Sequence, residues 1–120
     1  GAEKLRDRMP HRLSGGEKRV AAIASVLSMR PLAMLFDEPT SFLDPRARRH
    51  VAGLLSRLPH TMLIATHDLD MALDVCERVI VLREGRLMAD GPAKKLLADG
   101  ELMDAAGLEL PLSLGGNRIL

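Results

Sequence analysis

The chain has 120 residues, of which 47% are apolar and 28% charged, and 17 basic against 16 acidic residues leave a net charge of +1. That length allows one domain or less, the composition belongs to a soluble globular chain rather than a disordered one, and a charge so near neutrality makes no global case for nucleic-acid binding. The single cysteine, Cys76, excludes an internal disulfide and suits a reducing compartment, and no apolar run approaches the roughly 20 residues needed to span a bilayer.

The elements alternate between helix and strand. Val20, Ile23, Ala24 and Leu27 recur at helical spacing and predict an amphipathic helix over 17–29, ended by Pro31. Ala33–Phe36 is a short apolar run closed by Asp37-Glu38-Pro39, the pattern of a strand buried on both faces of a parallel sheet. Asp44 before Pro45 reads as an N-cap with proline at the first helical position. Ala47, Val51, Leu54, Leu55 and Leu58 then stripe one face of a helix that ends near Pro59. Thr61–Thr66 is a second buried strand, Leu69, Ala72, Leu73 and Cys76 stripe a third helix, and Arg78–Leu82 is a third strand. Glu84-Gly85 turns the chain into Arg86–Ala89 as an antiparallel hairpin partner. Two short helices, about 93–98 and 101–106, and a loose tail beyond Pro111 complete the chain, with no internal repeat and no low-complexity segment.

This order implies an α/β sheet with right-handed crossovers. Parallel strands end on one edge of their sheet, where α/β proteins bind ligands. Asp37 and Glu38 close one such strand and His67 follows the next, so two acids and an imidazole can converge on one crevice.

Each candidate has a plain structural reading beside the functional one. Ser14-Gly15-Gly16-Glu17 is a capping box, and it is also a helix start stripped of side chains where an anion could meet free amides. Asp37-Glu38 can be a solvated strand end, His67 a surface histidine, and Ser41–Asp44 a turn leading into an N-cap. The basic residues Lys4, Arg6, Arg8, Arg12, Lys18 and Arg19, and later Arg46, Arg48 and Arg49, read as solvated helix faces. The order and spacing of the four motifs together is not what chance produces.

As a set these motifs resemble those of ABC-type ATPases. Leu13-Ser14-Gly15-Gly16-Glu17 resembles the signature, Leu35–Glu38 the Walker B end, Ser41–Asp44 the D-loop and His67 the switch histidine, over a stretch from about Asp7 to Gly91. Thr66–Leu73, Arg78–Leu82 with Gly85-Arg86, and Leu108-Glu109-Leu110-Pro111 look like the transporter branch, most of all the energy-coupling ATPases of cobalt, nickel and vitamin importers. The resemblance implies a partial P-loop NTPase sheet over 1–91 with a short helical extension over 92–120. It implies ATP and Mg²⁺ as ligands: Asp37 holding the metal, Glu38 as general base and His67 at the γ-phosphate. Asp44 would act across a dimer interface, and Ser14, Gly15, Gly16 and Glu17 would grip ATP held by the opposite subunit. The implied partners are a second ATPase subunit in a head-to-tail dimer and transmembrane transporter subunits, at the cytoplasmic face of the membrane, with no nucleic acid.

The sequence departs from the family in five ways. Glu17 stands where glutamine is common, and Val20 where a basic residue is usual. No Tyr or Trp is present to stack on adenine. No Gly-x-x-x-x-Gly-Lys-[Ser/Thr] phosphate loop occurs, the glutamine loop is missing too, and the chain starts at Gly1, as in a cut or incomplete reading frame. The expectation is a chain that alone neither binds ATP tightly nor hydrolyses it. Its strands should also leave an apolar edge uncovered, giving marginal stability. Besides a transporter motor, two classes stay open: a non-catalytic docking module, and an ABC-type ATPase of DNA maintenance. The short stretch between Ser14 and Asp37 argues against the last, whose members usually carry long insertions between the nucleotide motifs.

Overall fold

The computed structural model describes residues 2–6 and 13–115; Arg8 and Arg12 of the early basic group, and the tail from 116 on, lie outside the described residues. Tertiary contacts divide the chain into two units, Gly1–His67 and Asp68–Leu120.

The first unit opens with a 3-10 turn, Ala2–Leu5, and helix α1, Gly15–Leu27. The helix begins two residues before the expected position because the capping box sets its start. Ser14 Oγ accepts the Glu17 N–H at 3.1 Å, and the Glu17 carboxylate accepts the Ser14 N–H at 3.2 Å. It ends at Leu27, where Ser28 caps it and Arg30 turns to a φ of 51°. Val20 and Ile23 are its buried residues.

Strand β1, Ala33–Asp37, pairs in parallel with β2, Thr61–Ala65, in a register running from Ala33↔Thr61 to Asp37↔Ala65. The crossover between them is helix α2, Pro45–Arg57, started by Asp44, whose carboxylate accepts the Ala47 N–H at 2.8 Å. Its stripe is as expected: Val51 and Leu55 are wholly buried, while Ala47, Leu54 and Leu58 are half-buried.

The strands differ from expectation in one respect. They are covered on one face only: Met34 is 2% exposed, but its neighbour Leu35 is 79% exposed and Leu63 on β2 is 64% exposed. Successive side chains of a strand point to opposite faces, and among the described residues no layer covers the second face of this two-stranded sheet. The expected uncovered apolar surface is therefore a face of the sheet as well as an edge.

The second unit contains α3, Leu69–Val75, capped by Asp68, and a hairpin of β3, Arg78–Arg83, with β4, Arg86–Pro92. Glu84 and Gly85 both take positive φ, 49° and 74°, which matches the right-handed twist of the strands they join. The hairpin is as expected, but β3 pairs with β4 alone and forms a second sheet instead of extending the first. Two short helices follow, α4, Ala93–Leu96, and α5, Gly100–Ala105. Ala72, Val81, Ala93, Leu97, Met103 and Ala106 make the core of this unit. Beyond it a 3-10 turn, Leu112–Leu114, is tied back to α3: the Asp70 carboxylate accepts the N–H groups of Leu112 and Ser113 at 3.1 and 2.9 Å. The α/β class expected from the sequence is the one observed.

Candidate functional site

The centre of the first unit's polar edge is Glu38, the residue after β1. Its N–H donates to the carbonyl of Ala65 at 2.8 Å, extending the strand pairing by one bond, and its φ of 47° then turns the chain sharply away. A left-handed conformation in a glutamate is uncommon and persists only where surrounding bonds hold it. Here they do. Ser41 donates to the Glu38 carbonyl through both its N–H (3.2 Å) and its hydroxyl (2.9 Å).

The carboxylate of Glu38 meets the end of β2. Its Oε1 accepts the His67 N–H at 3.0 Å and lies 2.7 Å from His67 Nδ1, while Oε2 accepts the Thr66 hydroxyl at 3.1 Å. The two residues expected to converge thus touch. The contact with a carboxylate places a proton on Nδ1, so Nε2 can donate to a further acceptor only when the ring is an imidazolium. The His67 side chain is 81% exposed and that of Glu38 31% exposed, leaving the pair open to solvent. A carboxylate oriented by three donors at a solvent-facing edge has the makings of a general base.

Asp37, the other expected acid, stands apart. It is exposed, and among the described residues its carboxylate has no hydrogen-bond partner. No group of three or more His, Cys, Asp and Glu side chains among the described residues could enclose a metal. One free carboxylate at a strand end fits an ion such as Mg²⁺, which keeps several of its waters and takes one or two protein carboxylates.

Ser14, Gly15, Gly16 and Glu17 form the start of α1, and their glycines serve packing. A Cβ built at Gly16 would lie 3.0 Å from Ala47 Cβ, and one at Gly15 would lie 3.4 Å from Leu43 Cδ2. The missing side chains let the start of α1 approach the loop and first turn of α2, next to the capping Asp44. The remaining α1 amides carry the positive end of the helix dipole, while the Glu17 carboxylate folds back over the same end.

Sequence reasoning missed Arg19, which it placed on a solvated face. The side chain instead spans the turn after β1: Nη1 donates to the carbonyls of Glu38 (3.1 Å) and Pro39 (2.6 Å), and Nη2 to the carbonyl (2.9 Å) and hydroxyl (3.4 Å) of Ser41. No local signal could have found this, because the acceptors are backbone carbonyls about twenty residues away. Thr66 was read as a strand end and as part of the Thr66–Leu73 resemblance, not as a partner of Glu38.

Residues 2–73 match the family described as "AAA domain, putative AbiEii toxin, Type IV TA system". Over 97% of its length the chain is 53% identical to a "Putative ABC transporter ATP-binding protein" of Geobacter sulfurreducens, covering 47% of that protein. Over 90% of its length it is 44% identical to the "Energy-coupling factor transporter ATP-binding protein EcfA" of Carboxydothermus hydrogenoformans, covering 41% of it. Among solved structures, cbiO1 of Clostridium perfringens, described as part of the ABC transporter complex cbiONQ, superposes with a TM-score of 0.74 at 38% identity, over 94% of this chain and 47% of that one. The chain spans about half the length of the curated relatives it matches. On these matches and this fold, the chain belongs to the AAA-domain family, and its relatives are ATP-binding proteins of ABC transporters.

Proposed function

We propose that this chain supplies the signature and hydrolytic residues of an ABC ATPase that energises import across a membrane, of metal ions such as cobalt or nickel, or of vitamins. The names of the EcfA and cbiO1 relatives support the importer reading. The observation that carries the catalytic part is the Glu38 carboxylate held by Thr66 and His67. Glu38 accepts a proton from the attacking water as its oxygen bonds to the γ-phosphorus of ATP and the bond to the leaving ADP breaks. His67 presents Nε2, the ring nitrogen not bonded to Glu38, to a γ-phosphate oxygen. Asp37 would hold Mg²⁺, which would supply charge neutralisation at the phosphates. Ser14, Gly15, Gly16 and Glu17 face ATP on a second ATPase subunit, and Asp44, at the start of α2, lies at that subunit boundary. No phosphate loop occurs in these 120 residues, so these residues by themselves neither hold ATP tightly nor turn it over. Transmembrane subunits complete the assembly at the cytoplasmic face of the membrane; among the described residues no helix is long and apolar enough to cross one.

The test is ATP hydrolysis by the assembly isolated from native membranes through a tag on this chain. Glu38→Gln should lower kcat by about 10²–10⁴-fold, the usual contribution of a positioned base. Unchanged turnover in Glu38→Gln would leave a non-catalytic docking module as the better reading.

A further inference from the structure

We infer that Arg19 is a positioning residue for Glu38, joining the signature helix to the turn that aims the base. This rests on the ATPase reading of Glu38 and goes beyond it by naming what holds the base in place.

Glu38 sits at a φ of 47°, a conformation a glutamate does not keep unaided. A turn of this kind points three carbonyls, those of Glu38, Pro39 and Ser41, toward one side. The Arg19 guanidinium reaches all three, with one nitrogen on the first two and the other on the third. Arginine suits this task because its donors lie in one rigid plane, and hydrogen bonds to a charged donor are stronger than neutral ones. Lysine offers a single point charge on a flexible stem and cannot bridge the same acceptors in fixed geometry. The guanidinium touches neither the Glu38 carboxylate nor His67. It acts on them through the backbone, since turning the Glu38 backbone moves Oε1 away from the His67 N–H and ring.

The chain of contacts has a second consequence. Arg19 lies about one and a half helical turns from the capping Ser14, on the helix whose start is the signature. A displacement of that helix therefore reaches Glu38 through one side chain. Arg19 thus ties the orientation of the base to the position of the signature helix within the same subunit.

Residue-resolved hydrogen exchange on the 120-residue chain gives a readout that needs no nucleotide. In Arg19→Met the His67 amide, which donates to Glu38, should exchange about tenfold faster, while the amide of Leu55 in α2 keeps its protection. Arg19→Lys should give an intermediate acceleration, and it decides alone if Arg19→Met loses Leu55 protection and so unfolds. An unchanged His67 amide in a variant that keeps Leu55 protected overturns the inference. In the membrane-derived assembly, Arg19→Lys should lower kcat about tenfold at unchanged KM for ATP, the pattern of a lost transition-state interaction. Should the His67 amide loosen while Glu38→Gln leaves turnover intact, the positioning role stands and the ATPase reading falls. Should Glu38→Gln abolish turnover while Arg19→Lys changes neither the His67 amide nor kcat, the reverse holds.

Discussion

His67 Nδ1 lies 2.7 Å from Glu38 Oε1, and the backbone N–H of His67 donates to the same oxygen at 3.0 Å. One residue thus binds one carboxylate oxygen twice, through main chain and ring. The N–H bond survives loss of the ring. In the proposed ATPase assembly, His67→Ala should therefore lower kcat about 10²-fold while leaving the Glu38 backbone and the stability of the chain unchanged, as expected of a side chain 81% exposed. Paired measurements of turnover and thermal unfolding check both halves.

Glu17 stacks two demands on one place. Its carboxylate completes the capping box at the start of α1, yet it puts a negative charge where a phosphate would bind. Glutamine keeps the reach and removes the charge. Glu17→Gln should tighten ATP in the assembly, lowering KM by about two- to fivefold, a change of the size that one charge at a helix end supplies. A steady-state KM at low salt is the measurement.

Gly16 is required by packing. A Cβ there would stand 3.0 Å from the Cβ of Ala47, which belongs to the first turn of α2 and has no flexible end to move aside. Gly16→Ala should lower stability by about 1–3 kcal/mol, the range for overpacking, despite the better helix propensity of alanine. At Gly53, inside α2, the nearest neighbour is the flexible guanidinium of Arg57 at 3.4 Å, so Gly53→Ala should stabilise by up to about 1 kcal/mol. Urea unfolding of the two variants compares them directly.

Asp70 anchors the turn at 112–114. Burial raises its pKa, but the hydrogen bonds from the Ser113 side chain and backbone and from the Leu112 N–H outweigh that, and the net shift is downward. A carboxyl depressed in the folded state contributes stability that is present above its unfolded pKa of 3.8 and lost as pH falls through the lower folded value. The Leu112 and Ser113 amides should therefore stay protected at neutral pH and become exchangeable only as pH falls below 3.8 and through the lower folded value. Asp70→Ala should show the unprotected state at every pH.

Leu35 and Leu63 should govern self-association. Both are largely exposed on paired strands of the parallel sheet, at matching register positions, and contiguous apolar surface on an open sheet promotes pairing with another chain. Leu35→Lys with Leu63→Lys should shift sedimentation of the chain toward the monomer at unchanged helix content.

Much of this was legible because it is local. Ser14 with Glu17 and Asp44 with Ala47 act over three residues, so the caps of two helices can be read directly, while the Asp68 cap of α3 went unread. The Val51–Leu55 stripe is legible for the same reason: the helical period places it on one face. The helix over 17–29 was displaced by two residues because periodicity locates a face better than it locates an end.

Other features depend on where the chain returns. The sequence by itself determined the order of elements, the caps and the family, since each is written in short-range spacing. Tertiary structure alone decided that Arg19 turns inward to three backbone carbonyls, that Gly15 and Gly16 make room for α2, and that Leu35 and Leu63 face outward. Carbonyl acceptors carry no residue identity, and a strand's buried face is set by whatever packs on it. Such partnerships come into being only once the crossover brings β1 and β2 side by side.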